Sequence, residues 1–212
     1  MEWDAEAEGW TTEELAVLSR LNDVTEVQAF LDSLPYSADD FSRSPRGVLR
    51  DGRANCFDGA LLAAAALRRL GFPPLLVDLR AVRDDDHVIA VFRRNGHLGA
   101  VAKSNFVGLR YREPIYRSLR ELVISYFEQY YNLDGEKTLR SYSPPLDLRK
   151  YDHLRWMFQD ERAELIAARL NALRHYPLLT EEMIASLSKV DERSYRAGML
   201  GVNEAGLYKP KR

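Results

Sequence analysis

Residues 55–71, NCFDGALLAAAALRRLG, constrain the fold more than any other stretch of the chain. Phe57, Ala60, Leu61, Ala64, Leu67 and Leu70 recur at helical spacing and line one face. Asn55 is a good N-cap, and Asp58 three residues on reproduces part of a capping box. Gly71 suits the residue just past a helix C-terminus. The alanines let neighbouring elements approach closely, so this reads as a core helix. It also carries the single cysteine, Cys56, at its first position.

Three strand-like runs follow: PLLVDLRAV, HVIAVFRR and HLGAVAKSNF. Asn95-Gly96 between the last two is a strong hairpin signal, which makes them antiparallel neighbours. YRSLRELVISYFEQYYN then reads as an amphipathic helix, with the aromatics of SYFEQYY at core spacing, and KTLRSYS as a further strand. Upstream, Thr11 or Thr12 caps a helix through EELAVLSRL, and VTEVQAFLDSL forms a second that Pro35 stops. PYSADDFSRSPRGVLRDGR reads as a long loop and SPPLDLRKYD as a turn-rich boundary. From about Asp152 the chain reads as mostly helical, most clearly in ERAELIAARLNALRHY. A core helix followed by an antiparallel sheet predicts an α+β fold. With no repeats and no low-complexity linker, one domain is expected over residues 1–212. Its core spans about 45–145, with a helical N-terminal part over 10–35 and a helical C-terminal extension over 152–212.

Thirty Lys and Arg stand against 32 Asp and Glu, so no global basic field exists to hold nucleic acid or an anionic membrane. The longest apolar run, ALLAAAAL, is too short to span a bilayer. The acidic start MEWDAEAEGW lacks the basic region and apolar core of a signal peptide. One cysteine cannot form an intrachain disulfide, and a lone thiol fits a reducing compartment. The expectation is a cytoplasmic protein with no nucleic-acid or membrane partner, its oligomeric state open.

At the first position of its helix, Cys56 meets unpaired N–H groups and the positive end of the macrodipole. Both favour a thiolate, so its pKa is expected to fall. The same N–H groups can stabilise an oxyanion if the sulfur attacks a carbonyl. Such a nucleophile needs a base, and His87 lies 31 residues on, at the start of a strand. The imidazole in turn needs an orienting acceptor, for which Ser104 and Asn105 at the end of the next strand are candidates. Against this stand plainer readings. A lone cysteine in an apolar helix is most often core filler, and a histidine at a strand start a surface or capping residue. Asp84, Asp85 and Asp86 form a solvated turn as readily as a weak metal site. With no tight His/Cys spacing, no metal and no cofactor is expected. The order cysteine, helix, strand, histidine, strand, polar residue favours the reactive reading.

NCFDGALLAAAALRRLGFPPLLVDLRA resembles the cysteine helix, Gly-Phe-Pro turn and strand of the transglutaminase-like superfamily, with its more distant papain-like relatives. DDDHVIAVFRRNGHLGAV resembles the histidine hairpin of that superfamily, and the match covers about residues 45–110. The wording beyond it, AKSNFVGLRYREPIYRSLRELVISYF and KTLRSYSPP, resembles an uncharacterised bacterial branch. The resemblance implies Cys56 as nucleophile and His87 as general acid/base, acting on an amide or ester carbonyl of a peptide, protein or small molecule, by hydrolysis or acyl transfer. The alternative is an inactive relative that binds a peptide or protein. The chain departs from the family at the third member. The family has an aspartate there, whereas the matching position is Ala102. Strand parity favours Ser104 and chemistry favours Asn105, and a bulge could reconcile them. Arg110, Arg112 and Arg117, with Tyr111 and Tyr116, form either a substrate rim or a structural loop. His153 and His175 read as surface or capping residues.

Overall fold

A computed structural model describes residues 9–208, so most of the acidic stretch read at the N-terminus lies outside it. The fold is α+β. Helix α1, Thr12–Leu18, starts at a full capping box between Thr11 and Glu14. Helix α2, Val24–Ser33, is capped by Asp23, which accepts from the N–H groups of Thr25 and Glu26. The stretch read as one long loop contains a third helix, α3, Pro45–Asp51. It carries a complete set of local signals: Ser44 as N-cap, proline in the first turn, and Gly52 left-handed at φ 64° as the stop. Helix α4, Cys56–Arg69, is the core helix, and every residue from Asp58 to Leu67 is buried.

Strands β1 (Leu75–Ala81), β2 (His87–Arg94) and β3 (His97–Val101) follow as an antiparallel meander, with the Asn95-Gly96 hairpin where the sequence places it. Strand β4 (Arg112–Tyr116) extends the β3 edge. On the other side, β5 (Leu139–Tyr142) and the short β6 (Leu146–Asp147) both pair with β1, and β7 (Tyr176–Pro177) pairs with β5. The described sheet has seven strands, along the path β4-β3-β2-β1-β5-β7 with β6 beside β1.

Both faces of this sheet are covered. Leu76, Val88, Ala90, Phe92 and Val101 pack toward α4. Val77, Leu79, Ile89, Val91 and Ala100 pack on the other side against Leu122, Val123, Tyr126 and Tyr130. Period-2 alternation therefore sends apolar side chains to both faces, which is why β2 reads as a continuous apolar run. Each large side chain buried this way contributes about 1.5–3 kcal/mol.

The helix expected over 116–132 is broken. Residues 112–116 join the sheet, α5 covers Leu119–Ile124, and a single 3-10 turn covers Phe127–Gln129. Ser125 folds its hydroxyl onto the Leu122 carbonyl at 2.6 Å and ends α5. Strand β3 stops at Val101, because the Gln28 amide from α2 satisfies both backbone groups of Ala102, at 2.9 and 3.0 Å, in place of a neighbouring strand. The C-terminal part is helical only in pieces: a 3-10 stretch over Leu148–Leu154, then α6 (Asp160–Asn171), α7 (Glu181–Ala185) and α8 (Glu192–Gly198). No described helix is long and apolar enough to cross a membrane.

Candidate active site around Cys56 and His87

The start of α4 is locked before any chemistry is considered. Asn55 Oδ1 accepts the Asp58 N–H at 2.9 Å, and Asp58 Oδ2 accepts the Asn55 N–H at 3.3 Å. Asp58 Oδ1 also takes the Arg43 N–H at 2.7 Å. Burial pushes the Asp58 carboxyl up to about 6 in spite of these donors and the Arg43 charge. The wholly buried Arg43 guanidinium bonds Asp51 at 2.8 Å, Ser37 at 3.1 Å and Asp39. Lys103, itself buried, reaches the C-terminal end of α2 and donates to the carbonyls of Leu31, at 2.9 Å, and Leu34. Together these bonds fix the loop after α2, and with it Tyr36, beside the N-terminus of α4.

Cys56 lies in that corner. Its Sγ is 3.7 Å from the Asp86 carbonyl and accepts the Val88 N–H. The Tyr36 hydroxyl accepts the Cys56 backbone N–H and shares a hydrogen bond with Sγ. The residue keeps partial exposure, but its sulfur is packed inward. Burial pushes the thiol up to about 12, with smaller contributions from Asp85, Asp58 and Asp78. This reverses the expected depression: the single N–H donated to the sulfur does not offset desolvation and the nearby carboxylates.

His87 opens β2 and is 4% exposed. Its Nε2 lies 2.8 Å from the Leu109 carbonyl, and its ring stands edge-on to Tyr126 and Tyr130, with centroids 6.3 and 6.4 Å away. A carbonyl only accepts, so Nε2 carries the proton and Nδ1 holds the free lone pair. Burial, helped by the Arg112 charge, lowers the imidazole to about 4 against the favourable Leu109 contact. The Leu109 carbonyl is itself held in place. Arg112 donates to Gly108 O at 2.8 Å and to Ser125 Oγ at 2.9 Å, and lies 3.9 Å over the Tyr126 ring.

Cys56 and His87 wall one small cavity of about 30 Å³, together with Tyr36, Asn105, Leu109 and Gly206. That is room for one or two waters. Among the described residues no hydrogen bond joins Sγ to the imidazole. At neutral pH the pair is a thiol beside a neutral imidazole.

The two sequence candidates for the third member, Ser104 and Asn105, also line this cavity, but the hydrogen bonds of the described residues tie neither to the imidazole. Asn105 Oδ1 accepts the Asn203 N–H at 2.8 Å, while its Nδ2 donates to Asn203 O at 2.9 Å and Gly206 O at 3.3 Å. The Ser104 hydroxyl accepts the Phe106 N–H at 3.0 Å. Because β3 ends at Val101, residues 102–105 leave the sheet and strand parity no longer governs them. The imidazole's partner comes instead from the 3-10 turn Val107–Leu109, further along the chain.

No family model matches the chain, and no curated protein matches it. Among solved structures it is similar to Legionella pneumophila LapG and to the EGTA-treated form of LapG, at 19% identity and a TM-score of 0.35 in each case. The alignments cover 43% and 44% of this chain, and 61% and 59% of the LapG chains. The chain thus spans about three-fifths of the LapG chains it matches. What the site can do follows from its own geometry.

The aspartates before His87 build the turn. Asp84 accepts the Thr138 hydroxyl at 2.7 Å and burial pushes it up to about 6. Asp86 accepts the Ala81 N–H at 2.8 Å, and the Tyr130 hydroxyl donates to Asp85 O at 2.6 Å. Among the described residues no group of three or more His, Cys, Asp and Glu could hold a metal ion. Two of the three arginines make structural contacts: Arg110 pairs with Asp32 at 3.1 Å, and Arg112 braces the turn that carries Leu109. His153 is exposed, but His175 is not a surface residue. Its Nε2 lies 2.8 Å from the buried Asp78 carboxylate, an acceptor on β1 that no local spacing links to it. Two participants escaped the sequence. Tyr36 stands in a loop with no motif around it, and Leu109 acts through its backbone, which side-chain identity cannot flag.

Proposed function

We propose that the chain is a transglutaminase-like cysteine acyl hydrolase or acyltransferase, a single domain with Cys56 as nucleophile and His87 as its acid/base. The observation that carries this is the tautomer. The Leu109 carbonyl holds the Nε2 proton, so Nδ1 is the basic nitrogen on a ring that shares a cavity with Sγ. A backbone carbonyl does the orienting that the superfamily assigns to an aspartate or asparagine side chain.

In the reaction, the thiol proton passes to Nδ1 as Sγ bonds the carbonyl carbon of the substrate. At rest the Cys56 N–H bonds the Tyr36 hydroxyl beside the sulfur, and in this reading that N–H and the Tyr36 O–H turn to the resulting oxyanion as donors. Collapse breaks the bond to the leaving amine or alcohol, which takes the proton from His87. Water or a second amine then attacks the thioester, gives its proton to His87 and releases the acyl group, and the proton returns to Sγ. The groove beside Cys56, about 570 Å³, carries Asp40, Asp85 and Asp86 on its walls, which favours a neutral or cationic polypeptide over an anionic substrate.

A second reading, an inactive module that binds a peptide or protein, draws on the raised thiol and lowered imidazole, which leave neither group charged near neutrality. Intact-mass measurement after incubation with p-nitrophenyl acetate separates the two. An acetyl adduct on Cys56 that disappears in His87→Ala supports the enzyme. A chain that stays unmodified, with the fold intact and Cys56 still open to alkylation by iodoacetamide, supports the binding module.

A further inference from the structure

Three neighbouring hollows border the site, and one stretch of chain walls them all. Gly206 closes the 30 Å³ cavity of Cys56 and His87. Residues 205–208 wall the 570 Å³ groove along Cys56 and Asn55. Leu200 and Gly201 wall a third hollow of about 370 Å³, lined by Lys103, Asn105 and Arg110. Tyr36 borders all three. Residues 200–208 therefore contribute a wall to each of the three hollows around the sulfur.

This segment is held by hydrogen bonds to its backbone and to one side chain. Asn105 grips Asn203 through both its N–H and its carbonyl, and reaches the Gly206 carbonyl as well. The Asn203 amide donates to Tyr36 O at 2.9 Å and its Oδ1 accepts the Ala205 N–H at 3.1 Å. Gly206 approaches so closely that an added Cβ would lie 2.8 Å from the Tyr36 ring. None of residues 199–208 is buried, and Leu200 is 76% exposed. Few apolar contacts and solvent-accessible hydrogen bonds mark a segment that opens without unfolding the domain. Immediately before it, α8 is pinned: Tyr131 donates to Ser194 O at 3.0 Å and packs against Gly198.

We propose that residues Asn203–Tyr208 occupy, in cis, the part of the substrate site that lies over the cavity of Cys56 and His87, closing it until a polypeptide substrate displaces them. The inference rests on the catalytic reading above for the word substrate, and on geometry alone for the occupancy. Backbone recognition by Asn105 together with a seat that fits only glycine against Tyr36 defines the occupant: a polypeptide that makes a single 3-10 turn, as Glu204–Gly206 does, with glycine at the position of Gly206. When the segment leaves, water reaches the sulfur and the imidazole, and the desolvation that holds the pair neutral is relieved.

The test is the rate at which iodoacetamide alkylates Cys56 in the full-length chain at fixed pH. Gly206→Val, whose side chain does not fit against Tyr36, and Asn203→Ala, which removes the bond to Tyr36 O, are each expected to raise the rate at least about tenfold over wild type. A synthetic peptide of residues 202–208, VNEAGLY, is expected to slow alkylation of Gly206→Val again. Equal rates in wild type and both variants, with unchanged melting temperatures, would overturn the proposal. If Gly206→Val does not fold, Asn203→Ala with and without the peptide decides alone. His87→Ala in the open background reports separately on catalysis: a segment that shields an ordinary thiol gives the same tenfold rise with no dependence on His87.

Discussion

The proton on His87 Nε2 is fixed by a backbone carbonyl, Leu109 O at 2.8 Å, and that carbonyl is braced by Arg112 through Gly108 and Ser125. Arg112 therefore acts on the imidazole in two ways, as a strut and as a nearby positive charge that lowers the pKa of the ring. Arg112→Gln removes both. The His87 pKa is expected to move up from about 4, and Cys56 acylation to slow by about tenfold as the ring loses its fixed orientation. An NMR titration of the His87 ring protons checks the first, and the rate of acetyl adduct formation checks the second.

Tyr36→Phe keeps the ring against Gly206 and removes only the hydroxyl. Loss of one oxyanion donor is expected to slow acylation by about 10²-fold. Alkylation by iodoacetamide forms no oxyanion, so its rate is expected to fall by much less. Measuring both rates in the same variant separates transition-state stabilisation from simple access.

Burial of a neutral His87 makes stability depend on pH with a definite sign. The folded pKa of about 4 lies below the unfolded value near 6.5, so between them the unfolded chain binds more protons. The imidazole's contribution is complete above about pH 6.5 and is lost as pH falls toward 4. Asp58 and Asp84, both raised to about 6, act in the opposite direction over an overlapping range. Comparison with His87→Gln isolates the imidazole. The stability advantage of wild type over the variant is expected to shrink by about 3 kcal/mol from pH 7 to pH 4 in urea unfolding. A constant difference would mean that the ring is hydrated in the native protein.

Arg43 is wholly buried among Asp39, Asp51 and Asp58 and ties the Tyr36 loop to the start of α4. Arg43→Met strands buried carboxylates, Asp58 above all. A loss of about 3–5 kcal/mol is expected, measured by denaturant unfolding at neutral pH. A loss under about 1 kcal/mol would show that the cluster is hydrated and contributes little.

How much of this was legible in the sequence depends on the range of the interaction. Helix α4 was readable because Asn55, Asp58 and Gly71 are local signals and the apolar spacing is unambiguous. The β2–β3 hairpin was readable from Asn95-Gly96. Helix α3 lies in a stretch whose Pro, Ser, Asp and Gly content reads as loop, although its cap, first-turn proline and stop glycine are all local signals. The helix expected through residue 132 failed where Ser125 turned back on Leu122 and where Tyr126 and Tyr130 took core positions against the sheet. At the site, residue types pointed to Cys56 and His87, whereas Asn105, chosen by chemistry, bonds a segment almost a hundred residues away. Burial was the least legible quantity. A helix N-terminus argues for a lowered thiol pKa, and only the packing of Tyr36 and residues 85–88 around the sulfur reverses the direction.

If Cys56 attacks a carbonyl with His87 as its base, a pre-steady-state burst with p-nitrophenyl acetate reads the step itself. The opened Gly206→Val chain is expected to release one p-nitrophenolate per chain, a burst lost in Cys56→Ser and slowed at least about 10²-fold in His87→Ala. No burst from the opened, folded chain, or a burst of the same rate without His87, would contradict it.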